Sequence, residues 1–177
     1  KGSSKLLRGL ANSWQVGLIS QTHSKPPLNV NVGGDVDGDG LSTFILPGAE
    51  FNSFGRSLSE SKLRELVAND NQTYPTSVTG KRTPQNQVLP VINLPAKFDN
   101  GDWLLSQDIR LTRLIRFREK FKISLIGEAF NIFNFSNLIS YDGSVASPRF
   151  GQPGGRIEQV FGRGGPRAFQ LAVRFEF

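Results

Sequence analysis

The chain contains no cysteine and only one histidine, His23, among its 177 residues. Without cysteine there is neither a disulfide nor thiolate chemistry, and one histidine is too few for a zinc site. A Ser-His-Asp triad could be drawn through His23, but no G-x-S-x-G motif supports it. These absences predict a protein that is not an enzyme and whose sole candidate cofactor is the calcium ion of an acidic loop.

Long apolar runs are also absent, since no stretch of about 18 apolar residues suggests a transmembrane helix. Hydrophobic residues make up only 37% of the chain, while 19 glycines and 10 prolines indicate many turns. A barrel wall needs apolar residues only at alternate strand positions, which fits this low share. The chain begins at Lys1 with neither Met nor a signal peptide, and we expect it to be a fragment of a longer protein.

The net charge of +6 has two explanations. Solvated lysines and arginines of loops are the simpler one, and phosphate-rich partners such as lipid headgroups or nucleic acid are the other. No basic stripe is interleaved with stacking aromatic residues, so we expect no nucleic acid partner.

The last residues show the clearest pattern. From Phe169 to Phe177 every odd position is apolar, and the even positions are Gln170, Ala172, Arg174 and Glu176. A period of two predicts a strand with one apolar and one polar face. A strand between lipid and a wet lumen needs this pattern, with aromatic residues at the membrane boundary.

The same alternation recurs in two earlier segments and, more weakly, in a third. It predicts four long antiparallel strands, consecutive neighbours in one sheet, near residues 10–22, 102–116, 118–132 and 167–177. Ile126 is an exception to the alternation. Arg113 is another, and we expect its side chain to snorkel near a strand end. The pattern does not explain Gln107.

The connections between these strands differ greatly in length. A tight polar hairpin at Arg116–Glu119 separates the second and third strands, whereas residues 23–101 and 134–166 form long loops. Outer-membrane barrels have short periplasmic turns and long extracellular loops. The sequence therefore predicts an all-β fold. Residues 1–177 would form the C-terminal segment of a transmembrane β-barrel, with up-and-down antiparallel strands and long extracellular loops.

The aromatic residues are expected to form two girdles, one at each end of the strands. The predicted periplasmic girdle comprises Trp14, Phe117, Phe121, Phe175 and Phe177. The predicted outer girdle comprises Trp103, Phe130, Phe133, Phe135 and Phe169.

The first long loop contains one predicted short helix, from about Leu58 to Asn69. Ser57 and Glu60 have the spacing of a capping box, in which the serine accepts from the helix backbone and the glutamate reaches back. Apolar residues then follow on roughly one helical face. Asn69 to Lys97 is rich in Asn, Thr, Pro and Gln and reads as extended or irregular chain.

An acidic stretch earlier in the same loop resembles the first half of a calcium loop. Asp35, Asp37 and Asp39 alternate, and Gly40 occupies the sixth position. The twelfth position is Leu46 rather than glutamate, and Glu50 could substitute only if the loop bends. The alternative is a solvated turn rich in Asp and Gly.

Four stretches together resemble TonB-dependent outer-membrane receptors, most closely the group with a carboxypeptidase-regulatory-like N-terminal domain. Residues 127–134, GEAFNIFN, resemble the penultimate strand of that group, and residues 35–40, 106–111 and 172–177 match in order and spacing. The resemblance implies a barrel of about 22 strands around a plug. It also implies a bacterial outer membrane, energy from TonB, and import of a large nutrient such as a metal chelate or glycan.

On this interpretation the chain is the closing end of the barrel, and TonB would be contacted through a plug that lies outside it. Further partners would be outer-membrane lipid, lipopolysaccharide and the barrel-assembly machinery. Phe175 and Phe177 resemble the C-terminal signal that this machinery reads. Residues at the polar positions of the alternating strands would face the lumen. There they would line the conduit, contact the plug or pair with one another. These residues are Asp108, Arg110, Lys122, Glu128, Arg174 and Glu176.

Two hypotheses from different classes follow. The first is the C-terminal part of a TonB-dependent importer. The second is a soluble or cell-surface β-rich binding module that depends on calcium. A barrel protein requires detergent and often changes its gel mobility on heating, whereas a soluble module does neither.

Overall fold

A computed structural model describes residues 12–33, 39–41, 43–73, 81–82, 88–89, 91–117, 121–162 and 164–177. They form eight strands and one helix. The strands are β1 (Trp14–His23), β2 (Lys81–Arg82), β3 (Val88–Leu89), β4 (Leu104–Phe117), β5 (Phe121–Phe130), β6 (Leu138–Tyr141), β7 (Pro153–Arg156) and β8 (Ala168–Glu176). The helix is α1 (Glu60–Thr73).

Four strands form one antiparallel sheet in the order β1-β4-β5-β8. These are the four long strands that the alternating pattern predicts, so the prediction of consecutive antiparallel neighbours is confirmed. Each strand spans about the 9–11 residues that a bilayer crossing requires, or more. The sheet is open: β1 and β8 are its two edge strands, and they do not pair with each other.

The hairpin between β4 and β5 is shorter than the sequence indicates. The predicted turn begins at Arg116, but β4 continues through Phe117, which pairs with Phe121. Residues 118–120 lie outside the described residues. The difference arises because an arginine and a phenylalanine can both continue a strand whose faces alternate.

Contacts within the chain define two compact units. The first contains the four-stranded sheet with residues 104–137 and 157–177. The second is built from residues 24–103 and 138–156. The two predicted extracellular loops therefore do not remain separate, since most of each contributes to one folded unit.

The second unit has its own hydrophobic core. Its buried members are Val30, Val32, Leu46, Phe54, Leu58, Leu63, Leu66, Val67, Ile92, Val145 and Phe150. Backbone bonds join its two segments, with Asn31 donating to the Gly143 carbonyl and Val145 donating to the Asn31 carbonyl, both at 2.8 Å. A side chain at Gly143 would collide with the Asn29 carbonyl, so glycine permits this close approach. No buried hydrophobic residue among those described belongs to the sheet unit.

Helix α1 supplies three core residues, Leu63, Leu66 and Val67, as the apolar face predicts. The predicted cap is wrong: Ser59, not Ser57, accepts the hydrogen bond from the Lys62 backbone, at 3.2 Å. The helix begins two residues later than predicted and extends to Thr73, since Ser59 fulfils the capping rule as well as Ser57 does. Helix α1, the one helix among the described residues, is neither long enough nor apolar enough to span a membrane.

The stretch from Asn69 to Lys97 is regular only in part. Its first residues continue α1, β2 pairs with β3, and residues 91–97 have no regular structure. The remaining residues of the stretch lie outside the described residues.

Candidate functional site

The polar face of the four-stranded sheet carries the charged side chains. Register places Arg110 opposite Glu128 and Lys122 opposite Glu176. Arg110 Nε lies 3.7 Å from Glu128 Oε1, and Lys122 Nζ lies 3.9 Å from Glu176 Oε2. Arg174 Nε is 3.2 Å from Glu176 Oε1. All five residues thus share one face, and they form the mutual ion pairs that one reading of the sequence expects.

Cations outnumber carboxylates on this face. Arg116 adds a fourth basic side chain near the hairpin, and a cavity of about 650 Å³ is bounded by Arg110, Arg116, Lys122 and Arg174. Glu176 also borders it. The ion pairs are half-exposed and are worth at most about 1 kcal/mol each. The arrangement is suited to contacting anionic or polar groups rather than to holding the sheet together.

Asp108 shares the polar face but has a different role. Its side chain is only 7% exposed. Oδ1 accepts hydrogen bonds from Ser106 Oγ at 3.0 Å and from the Asn131 backbone at 2.8 Å. The bond from Asn131 fixes the carboxylate to the chain that leaves β5, and the bond from Ser106 lies within β4. Asp108 therefore stabilises the end of the sheet, which the alternating pattern does not indicate.

Two buried asparagines, missed by the sequence analysis, fasten the same end of the sheet. Asn137 donates to the Leu105 carbonyl at 2.8 Å and to the Gly164 carbonyl at 2.7 Å, and it accepts from the Leu105 backbone at 2.8 Å. The Asn131 side chain donates to the Phe135 and Gly165 carbonyls and accepts from the Phe135 backbone amide. Both have φ of 45°, a conformation that asparagine tolerates better than most residues. The signal in the sequence is the repeated asparagine after an aromatic-rich strand.

The opposite face of the sheet is apolar and exposed. Leu171, for example, is 88% exposed, and it lies in one row with Gly127, Leu111 and Val16. A soluble protein rarely leaves so large a contiguous apolar patch uncovered. The face has the properties of a lipid-contacting surface.

Two of the three exceptions to the alternation, Arg113 and Gln107, have physical explanations. The Arg113 guanidinium lies 4.9 Å from the centre of the Trp14 ring, and such cation–π contacts are favourable. Gln107 pairs with Ser20, and its Nε2 donates to Ser20 Oγ at 2.7 Å. A polar residue on the apolar face is thus satisfied by its cross-strand neighbour.

Some of the predicted girdle residues lie at the expected ends of the sheet, whereas Phe130 occupies a polar-face position and packs against the Phe161 ring, with ring centroids 5.4 Å apart. Trp14, Phe121 and Phe175 are exposed near the hairpin end of the sheet, and Phe169 is exposed at the other end. Phe177 follows β8 and is also exposed. The side chain of Phe117 lies outside the described part of the chain. The proposed assembly role of Phe175 and Phe177 stays a prediction.

The acidic loop is described only in part. Asp35 and Asp37 lie outside the described residues, and Asp39 Oδ1 accepts from the Leu41 backbone at 2.7 Å. That bond is typical of a turn formed by an aspartate. Leu46, at the twelfth position, is fully buried in the core, and Glu50 is exposed. Within the described ranges, no three potential metal ligands, His23 included, form a group.

The calcium site stays a prediction with a direct test. If the three aspartates bind Ca²⁺, titration calorimetry of the intact protein shows saturable heat that Asp37→Ala abolishes. An absence of heat at millimolar Ca²⁺, roughly the affinity range of weak extracellular sites, would leave the loop as a solvated turn.

The second unit contains a carboxylate with a perturbed pKa. Partial burial tends to raise the pKa of Asp99, but the Lys25 ammonium and backbone amides outweigh that effect and hold it below its ordinary value of 3.8. Lys25 Nζ contacts both carboxylate oxygens, at 2.8 and 2.9 Å. Burial and the nearby carboxylates of Asp102 and Asp99 raise the pKa of Tyr141.

We expect Asp99→Asn to weaken the second unit by roughly 0.2–1 kcal/mol, because the pair is half-exposed. A lowered folded pKa means that this stabilisation is present above pH 3.8 and is lost as the pH falls through the folded pKa. The Asp99 amide donates to the Gly151 carbonyl, so the rate of hydrogen exchange at this amide in the intact protein measures the stability of the second unit. Lys25→Met should reproduce this loss of stability, since it removes the other partner of the ion pair. Equal protection of the amide at residue 99 in Asp99→Asn and in wild type at neutral pH would contradict the prediction.

Comparison with known proteins agrees with the geometry of the two faces. A family model described as an outer membrane beta barrel domain matches residues 1–170. No curated protein and no solved structure matches the chain significantly. The match covers nearly the whole chain, including all of β1, β4 and β5 and the first three residues of β8. The chain therefore belongs to the outer membrane beta barrel domain family, and its place is the outer membrane.

Proposed function

We propose that this chain is the closing part of a TonB-dependent receptor that imports a large nutrient, such as a metal chelate or a glycan. The protein is then a transporter without catalytic activity. Its outer loops capture the ligand, and a plug within the full barrel rearranges when TonB supplies energy. The resemblance of residues 127–134 and of three further stretches supports this choice within the barrel family.

The observation that carries the proposal is the folded unit made from the long connections. His23 pairs with Leu104 and Phe130 pairs with Ala168, so both long connections start and end at the same end of the sheet. Together they bury eleven hydrophobic residues in one core. Loops that only connect strands have no need of such a core, whereas a ligand-capturing surface benefits from a rigid one.

The charged face of the sheet supports the same proposal. With the apolar face in lipid, the polar face lines the lumen, and Arg110, Lys122, Glu128, Arg174 and Glu176 become lumen-facing. Arg110, Lys122, Arg174 and Glu176 border an open cavity on this face. A narrow barrel fills its interior with side chains, while a wide barrel leaves room for a plug or cargo.

The test is import by living cells. A strain that lacks the whole receptor gene is grown with single metal chelates or glycans as the limiting nutrient, with and without a plasmid copy of the gene. We expect growth on at least one nutrient to require the gene, and the plasmid copy to lose its effect when TonB is also deleted. Gene-dependent growth that persists without TonB would contradict the proposal and favour a passive barrel.

A further inference from the structure

A groove crosses the apolar face of the sheet. It has a volume of about 300 Å³ and an almost entirely apolar lining, with Leu111, Leu125, Leu171 and Val173 around Gly127. Its width comes from Gly127, which has no side chain in a row of large ones. A Cβ at this position would touch only Leu171 Cδ2, at 3.6 Å, an ordinary contact distance. The backbone thus tolerates a side chain here, and glycine leaves the groove open.

One cation lies at the border of this groove. Arg113 and Trp14 both line it, and the guanidinium is held 4.9 Å from the centre of the indole ring. Arg113 is the only charged residue that register places on the apolar face of the described strands. A guanidinium presents a planar set of donors that matches phosphate oxygens.

We propose that this groove binds one acyl chain of an anionic phospholipid, whose phosphate is bound by Arg113. The apolar lining fits a hydrocarbon chain, and the cation at the border is complementary to a phosphate. Trp14 begins β1, and tryptophan is enriched at the level of lipid headgroups. The headgroup and the acyl chain are therefore expected at different depths, as they are in a bilayer.

The position of Arg113 favours a phospholipid over lipopolysaccharide. Arg113 lies on β4 four residues before Phe117, which pairs with Phe121 across the short hairpin. Short turns face the periplasm in outer-membrane barrels, and the periplasmic leaflet consists of phospholipid. This inference rests on the barrel family and does not require import through TonB.

The experiment measures lipid retention by the intact protein, purified from outer membranes in mild detergent. Native mass spectrometry follows titrations with phosphatidylglycerol, phosphatidylethanolamine and lipopolysaccharide. We expect phosphatidylglycerol to bind most tightly, and Arg113→Gln to weaken its binding by about tenfold through loss of a charge-assisted contact. Gly127→Leu should weaken it similarly by filling the groove.

Two matched controls separate the site from general effects. Arg110→Gln removes an arginine from the same strand but on the opposite face, and Ala129→Leu adds bulk to the apolar face outside the groove. Both should retain wild-type binding. If Arg113→Gln does not fold, Arg113→Lys keeps the charge and should retain most of the binding. Equal binding of the two phospholipids, wild-type binding by the Gly127→Leu variant, or displacement by lipopolysaccharide would overturn the proposal.

Discussion

Leu171→Arg is expected to reduce the free energy of unfolding in a bilayer by about 2–4 kcal/mol, the cost of a basic residue on a barrel's lipid face. Leu171 is 88% exposed. In a soluble sheet, so exposed a residue would tolerate the change within about 0.5 kcal/mol. The size of the loss therefore reports what surrounds the apolar face. Denaturant unfolding of the intact protein in lipid vesicles measures it.

Gln170→Arg is the matched control. Gln170 is the preceding residue in β8, and it pairs with Glu128 on the polar face. A new arginine there meets water and a carboxylate, so we expect a change within about 0.5 kcal/mol. Similar losses for both variants would show that the two faces of the sheet do not differ in their surroundings.

Asn137→Ala is expected to cost about 3 kcal/mol, because several partners of a buried amide lose their bonds and each unsatisfied group costs about 1–3 kcal/mol. The Gly164 carbonyl is the most affected, since its bond with Asn137 Nδ2 is buried. Hydrogen exchange should also lose protection at the Leu105 amide, which donates to Asn137 Oδ1. Asn137→Gly should cost somewhat less, because glycine keeps the φ of 45° without strain.

Asn134→Ala separates the hydrogen bonds from the backbone conformation. Asn134 has a φ of 56°, but it is exposed, and among the described residues its side chain accepts a long bond, at 3.4 Å, from the Arg167 backbone. We expect a loss of about 1 kcal/mol, the cost of alanine in the left-handed region. A loss as large as that of Asn137→Ala would mean that the conformation, and not the buried amide, is the main contribution.

The strands could be predicted because their signal is local. In β8, Phe169, Leu171 and Val173 alternate with Gln170, Ala172 and Arg174, and the period of two fixes both the element and its faces. Lipid on one side and water on the other keep this alternation clear. The same logic predicted which charged residues share a face.

Apart from the residues of α1, the core of the second unit could not be predicted in this way. Val30 and Leu46 lie in the first long connection, and Val145 and Phe150 lie in the second. These residues follow no period, because irregular chain brings them together. Their burial depends on contacts between distant segments. Asn137 was missed for a related reason, since its partners, Leu105 and Gly164, lie 32 and 27 residues away in the sequence.

The central claim, that one face of this sheet contacts lipid and the other contacts water, is tested most directly by a single-cysteine scan of β8. The chain has no native cysteine, so spin labels can be placed one at a time from Phe169 to Glu176 in the intact protein in vesicles. We predict that labels at odd positions collide with dissolved oxygen, and labels at even positions with a water-soluble nickel complex. Equal access of the nickel complex to neighbouring positions along the strand would contradict the account.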